Sequence, residues 1–235
     1  MKQTKLSPSS LNLMLDCPRC FWLHLVKGIK RPSGAFPSLP SGMDKILKEH
    51  FDRFMKNGIL PPELKNLQGY KLFDNEERLK VWRNNFKGIS YVEEESGILL
   101  HGAIDNILMK GKRLVVLDYK TRGFPLKENT HEHYQAQMDI YNFLLRKNGY
   151  ETEDYAYLLF YHPNKVLETG EVVFNTDIVK MRTNSKQGEK VFLDAIKVLK
   201  GEEPEANENC EYCHFSIKTG NLSEKMEKSL WRKKL

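Results

Sequence analysis

Every cysteine in the chain belongs to one of two C-x-x-C pairs, Cys17-Pro18-Arg19-Cys20 near one end and Cys210-Glu211-Tyr212-Cys213 near the other. Two such pairs that use all four thiols point to a single four-thiolate site. A shared site brings the two ends of the fold together and closes a very long loop. That closure favours the folded state by constraining the unfolded chain, a structural role rather than a catalytic one. The competing reading is four unrelated thiols. A chain of 235 residues buries a full core without staples, so the cysteines are not needed simply to make it fold. No apolar run reaches the roughly 18–20 residues of a membrane span. Met1 to Ser10 is polar and lacks the apolar stretch of a secretory signal. The expectation is a cytoplasmic protein with no membrane partner, where thiols stay reduced and serve as metal ligands more readily than as disulfides. Soft thiolates suit zinc and iron–sulfur clusters alike.

The remaining pattern predicts an α/β chain. Ser7-Pro8-Ser9-Ser10 opens a helix that carries Leu11, Leu13, Met14 and Leu15 into the first cysteine pair. A Pro/Gly/Ser-rich loop over 31–42 precedes two helical stretches, about 43–57 and 74–85. Strands follow at 89–95 and 98–109, with Ser96-Gly97 as the turn. A turn at Lys110-Gly111-Lys112 leads into a strand over 113–120 with the aliphatic run Leu114-Val115-Val116-Leu117. A helix is predicted at 131–147, stopped by Asn148-Gly149, then strands at 155–161 and 166–174 and a helix at 185–200. These elements indicate a mixed central β-sheet flanked by helices. The expected organisation is an N-terminal helical region over 1–88 with the first cysteine pair, a core over 89–200, and a segment over 201–235 with the second pair and a basic tail, all packed as one unit.

Within this pattern, charged groups stand where strands should be apolar. Asp105 is a lone acid in the run Ala103-Ile104-Asp105-Asn106-Ile107-Leu108, and Asp118 and Lys120 end the aliphatic strand two residues apart. A strand's period of two puts Asp118 and Lys120 on one face. If the strands pair as a hairpin through Gly111, the two acids come close. Adjacent carboxylates repel, which suits a divalent cation. Mg²⁺ prefers oxygen ligands and keeps waters, leaving room for phosphate, and it activates a bound water. A nearby lysine orients that water or stabilises developing charge. The bland reading is a turn-capping acid and a surface ion pair, and an acid-x-lysine alone is common. On the following helix, Gln137 and Tyr141 share a face at a spacing of four, and a glutamine beside an apolar stripe needs partners for its amide. The net charge of +6 is compatible with a polyanion such as DNA.

In this order, Gly102-Ala103-Ile104-Asp105, Asp118-Tyr119-Lys120 and Gln137-Met138-Asp139-Ile140-Tyr141 resemble the motifs of the PD-(D/E)XK nucleases, in particular their RecB-like branch. The resemblance implies a restriction-endonuclease-like core and Mg²⁺- or Mn²⁺-dependent hydrolysis of DNA. It implies Asp105 and Asp118 as metal ligands with the Tyr119 carbonyl, Lys120 assisting water attack, and Gln137 and Tyr141 supporting the site and contacting DNA. The family often adds a metal-binding histidine on an N-terminal helix. His50 is the candidate here, although Gly42 lies further upstream than the family spacing, so Asp44 or Glu49 can hold that place instead.

Relatives of the RecB-like and CRISPR spacer-acquisition kind carry a [4Fe–4S] cluster, typically with one N-terminal and three C-terminal cysteines, and the resemblance implies such a cluster on Cys17, Cys20, Cys210 and Cys213. The two-plus-two arrangement here departs from that pattern and keeps Zn²⁺ open, with His214 as an outside ligand. The resemblance implies single-stranded DNA or DNA ends as substrate, in repair, recombination or spacer acquisition. Phe21, Trp22 and Tyr212 are candidate base-stacking aromatics, although core packing competes for each. The alternative is a non-catalytic nucleic-acid-binding or assembly subunit. No Gly-x-x-x-x-Gly-Lys-Ser/Thr loop occurs, so any motor is expected to come from a partner, with a helicase or CRISPR-adaptation proteins as the candidate partners.

Overall fold

The run Leu114–Leu117 that reads as a buried strand does form the centre of a sheet in the computed structural model, which describes residues 3–220. In chain order the elements are β1 (Lys5–Leu6), α1 (Pro8–Asp16), α2 (Pro18–Val26), α3 (Ser38–Lys56), β2 (Tyr70–Leu72), α4 (Glu76–Trp82), β3 (Ile89–Val92), β4 (Leu99–Gly102), β5 (Asn106–Lys110), β6 (Arg113–Thr121), α5 (Gln135–Lys147), β7 (Tyr155–Val166), β8 (Val172–Arg182) and α6 (Ser185–Lys200). Residues 211–220 are also helical. The basic tail at Trp231–Leu235 lies outside the described residues.

Two compact units divide the chain. One comprises residues 3–8 with Ala35–Leu193, and the other Ser9–Gly34 with 194–220. The division follows contacts rather than chain order, so α3 and α4 belong with the sheets and not with the first cysteine pair. In the larger unit, a five-stranded sheet has the order β2-β5-β6-β7-β8, and a three-stranded sheet the order β1-β4-β3. β5 and β6 form an antiparallel hairpin, whereas β6 and β7 are parallel and are linked by α5. This is the mixed α/β architecture that the element pattern predicts.

α5 explains its own sequence. It contacts β3, β4 and β6, strands of both sheets, and Met138, Ile140, Tyr141, Phe143, Leu144 and Leu145 are all buried. Over 138–145, where the helix is enclosed on several sides, all but two side chains are apolar or aromatic. Its two buried polar side chains are satisfied, as burial requires. Asp139 accepts from the Asn184 N–H (2.7 Å) and Gln135 Nε2 (2.9 Å). Asn142 donates to the Glu153 carbonyl (2.9 Å). α6 approaches through Gly188, where a Cβ would stand 2.5 Å from the Asp139 carbonyl oxygen.

Three departures from the sequence pattern have identifiable causes. The predicted strand at 98–109 is two strands, because the chain leaves the three-stranded sheet after Gly102 and enters the five-stranded one at Asn106. The predicted strand at 166–174 is instead the tip of the β7–β8 hairpin. β8 runs on to Arg182 with most residues exposed, so backbone pairing rather than an apolar face holds it. Helix α3 begins at Ser38, inside the predicted loop, since Pro40 sits in its first turn, where a proline is tolerated.

Candidate active site

Strand alternation on β6 sends Asp118 and Lys120 to one face and Tyr119 to the other. The Tyr119 ring lies 4.7 Å from that of Phe51 on α3, and its hydroxyl accepts from Asn106 Nδ2 (2.7 Å). On the opposite face, Lys120 Nζ stands 2.5 Å from Asp118 Oδ2 and donates to Gln137 Oε1 (3.1 Å). It also lies over the Tyr134 ring at 4.6 Å. Gln137 Nε2 donates to the Tyr141 hydroxyl (2.9 Å), which donates in turn to the Ala103 carbonyl (2.6 Å). Because the glutamine's amide nitrogen is engaged by Tyr141, its carbonyl oxygen faces the lysine.

Asp105 reaches this cluster from the break between β4 and β5. Its Oδ2 accepts from the Tyr119 N–H (3.1 Å), and its Oδ1 lies 3.1 Å from Lys48 Nζ. Lys48 also pairs with Asp44 at 2.7 Å, one helical turn earlier on α3. Asp52, a further turn along the same face, holds Arg83 through two contacts of 2.8 Å, and Arg83 Nε donates to the Asp105 carbonyl (2.7 Å). One stripe of α3, Asp44-Lys48-Asp52, thus fixes both the side chain and the backbone of Asp105. The backbone groups left over by the strand break are met by Tyr141, by Arg83 and by the Trp82 carbonyl, which accepts from the Ile104 N–H.

The electrostatics are those of a site short of positive charge. Burial pushes the Asp118 carboxyl up to about 7 even with Lys120 pulling the other way, and the charge of Asp105 adds to the rise. Asp44 is raised as well, first by burial and then by Asp105. Burial disfavours the charge on Lys120, but Asp118 more than offsets this and the ammonium is held above its usual range. Burial also keeps the Tyr141 phenol protonated. Asp118 Oδ2 is buried and holds no aligned hydrogen bond, despite its close ion pair with Lys120. A buried carboxylate whose charge is disfavoured by burial and by a second carboxylate fits a hard divalent cation. Asp44 and Asp105 share Lys48 while Asp118 pairs with Lys120, and among the described residues the three acids do not close into a compact donor group as the four cysteines do.

The five predicted catalytic residues, Asp105, Asp118, Lys120, Gln137 and Tyr141, are brought together. His50 is not part of that contact network, contrary to expectation. Two residues beyond Lys48, it points about 200° around the helix from it and pairs with Glu63 (3.1 Å), which also accepts from the Tyr161 hydroxyl (3.0 Å). Glu49 is exposed, whereas Asp44 stands at the site. Sequence reading missed Lys48, although its spacing of four from Asp44 was visible.

The sequence profile of the PD-(D/E)XK nuclease superfamily matches residues 40–217. The chain belongs to that superfamily. Its members are typically metal-dependent nucleases, and the mixed α/β fold is consistent with their restriction-endonuclease-like core. No curated protein matches the chain.

A second cluster lies in the smaller unit. Cys17 caps α2 and Pro18 opens it, so Cys20 falls in the first turn beside Cys17. Cys210 and Cys213 repeat that placement at the start of the helix over 211–220. All four thiols are free and buried, with their sulfurs within 4.8 Å of one another, a group able to hold a metal. Burial raises the Cys17 thiol, but backbone hydrogen bonds at Asn207 and Cys20 with the neighbouring Cys210 and Cys20 thiols bring its pKa down to about 6, whereas burial and the other thiols push Cys213 up. His214 is exposed, and Phe21 and Trp22 are buried, with Trp22 Nε1 donating to the Gly201 carbonyl. These two rings are core rather than a stacking surface. Tyr212 is half-exposed but lies under the Arg31 guanidinium at 4.5 Å.

Among the described residues no helix is long and apolar enough to cross a membrane.

Proposed function

We propose that this PD-(D/E)XK protein is a DNA nuclease that hydrolyses phosphodiester bonds with Mg²⁺ or Mn²⁺, acting on single-stranded DNA or DNA ends in repair, recombination or spacer acquisition. The observation that carries the reading is the convergence of Asp105, which accepts from the Tyr119 N–H, with the buried Asp118 and its ion-paired Lys120.

Asp105 and Asp118 hold the cation, with Asp44 as a further oxygen donor. When bound, the cation supplies an activated water and neutralises charge developing on phosphate. Lys120 is protonated and acts as a donor, aimed by Gln137 and Tyr141 toward the attacking water or a phosphate oxygen. The Ala103 carbonyl anchors that chain of donors to the backbone. The overall positive charge favours association with a polyanion.

The test is cleavage of end-labelled single- and double-stranded DNA, and of RNA, with Mg²⁺, Mn²⁺ or EDTA, comparing wild type with Asp118→Asn and Lys120→Ala. Metal-dependent cutting of DNA that both substitutions abolish supports the reading. Activity that survives both places the chemistry elsewhere, and cutting confined to RNA replaces the substrate.

A further inference from the structure

We propose that the four cysteines hold one tetrahedrally coordinated zinc ion rather than an iron–sulfur cluster. The distances carry the argument. Cys17 Sγ lies 3.8 Å from Cys213 Sγ, and Cys20 Sγ lies 3.6 Å from Cys210 Sγ and 3.5 Å from Cys213 Sγ. Four thiolates around a single ion with Zn–S bonds of about 2.3 Å stand about 3.8 Å apart, the edge of the resulting tetrahedron. In a [4Fe–4S] cluster each thiolate binds a different iron, so the sulfurs stand apart by an iron–iron edge and the outward reach of two further bonds. A group whose sulfurs all fall within 4.8 Å of one another encloses the volume of one ion, not of a cubane. Disulfides are excluded by the same distances, since a bonded pair stands at about 2.05 Å.

The surroundings are those of a closed structural site. Four protein sulfurs complete the tetrahedron and leave no position for substrate, and Leu13 and Ala206 pack against the group. Each cysteine pair sits at the start of a helix, where first-turn N–H groups favour negative charge. Four thiolates around a dication leave an excess of two negative charges, and a fixed cation lies against them. Arg31 donates to Cys210 Sγ (3.4 Å), while Asp16 (2.5 Å) and the Tyr212 ring hold its guanidinium in place. The structure assigns Arg31 as the charge-compensating neighbour of this site.

The deciding experiment measures metals in the full-length protein, produced in medium containing both iron and zinc and purified without oxygen. The expected result is about one zinc per chain, iron well below stoichiometric, and no broad visible absorbance. Asp118→Asn protein should keep that zinc, which separates it from metal held by carboxylates. Replacing zinc with Co²⁺ should give the visible bands of a tetrahedral cobalt thiolate, bleached by added Zn²⁺. About four irons per chain with a broad visible band would overturn the proposal. So would protein that retains no zinc and fails to take it up from a zinc solution under reducing conditions. Arg31→Gln should weaken zinc binding by about ten- to a hundredfold in competition with a chromophoric chelator. Unchanged affinity there overturns the role given to Arg31.

Discussion

Gly102 lies directly against the ring of Tyr141: a Cβ at position 102 would stand 2.7 Å from Tyr141 Cε1 and 3.1 Å from Leu144 Cδ1. Two motifs separated in sequence, the Gly-x-x-Asp and the Gln-x-x-x-Tyr, are therefore halves of one packing arrangement. The glycine admits the ring, and the ring's hydroxyl fixes the backbone just before Asp105. Gly102→Ala must push the ring or the β4 strand aside. The expected loss is about 1–3 kcal/mol of stability, the usual range for overpacking a filled core. Urea denaturation measures it, and an unchanged midpoint would mean that the ring has room to move.

Tyr141→Phe keeps the ring and removes the hydroxyl. It strands the Gln137 amide and the Ala103 carbonyl, and a stranded buried polar group costs about 1–3 kcal/mol. The Lys120 ammonium then loses a fixed partner, because Gln137 is free to turn. Cleavage should fall by about ten- to a hundredfold, the scale of a small misplacement of a reacting group, while metal affinity stays near that of wild type. A parallel fall in metal affinity would show that Tyr141 acts on the acids rather than on Lys120.

The centre of this site was legible in the sequence because strand β6 is buried along Leu114–Leu117. An unbroken aliphatic run has to lie in a core, so the Asp118 and Lys120 that end it have to stand at the rim of that core. Asp105 was legible as a residue but not in its setting. The run Ile104-Asp105-Asn106-Ile107-Leu108 hides a passage between two sheets, and groups distant in sequence, the Tyr141 and Arg83 side chains and the Trp82 carbonyl, satisfy the break. Lys48 was not legible, since an Asp44–Lys48 pair at a spacing of four reads as an ordinary helix-surface contact. The reach of β8 beyond Phe174 was hidden for the opposite reason, since most of its residues are exposed and only Met181 on it is fully buried.

Lys48 and His50 lie two residues apart on α3 and should respond oppositely to alanine. Lys48→Ala leaves the carboxylates of Asp44 and Asp105 facing each other without a cation. In EDTA this should lower stability by about 1–3 kcal/mol, at the modest end for a partly exposed pair. Saturating Mn²⁺ should restore more stability to the variant than it adds to wild type, because the metal replaces the missing charge. His50→Ala removes the contact with Glu63 and the edge contacts with Phe51 and Phe54, none of them at the acids, and should retain metal-dependent cleavage. Thermal denaturation with EDTA and with Mn²⁺ checks the first, and a cleavage assay the second. Loss of metal dependence in His50→Ala would return that histidine to the ligand set.

The raised Asp118 carboxyl gives the metal site a pH dependence with a definite sign. In the metal-free protein, burial holds its pKa at about 7, so the group is mostly protonated at pH 6 and mostly ionised at pH 8. A divalent cation requires the ionised form and must displace the proton, so binding and proton release are linked. Affinity for Mn²⁺ should therefore be nearly flat above pH 7 and fall about tenfold for each unit below it, down to the ordinary carboxylate range. Calorimetric titration in buffers of different ionisation enthalpy counts the proton released at each pH. Asp118→Asn should bind more weakly at pH 8 and lose most of the slope between pH 5 and 7. An affinity in the wild type that is flat across that interval would mean that the cation does not use Asp118.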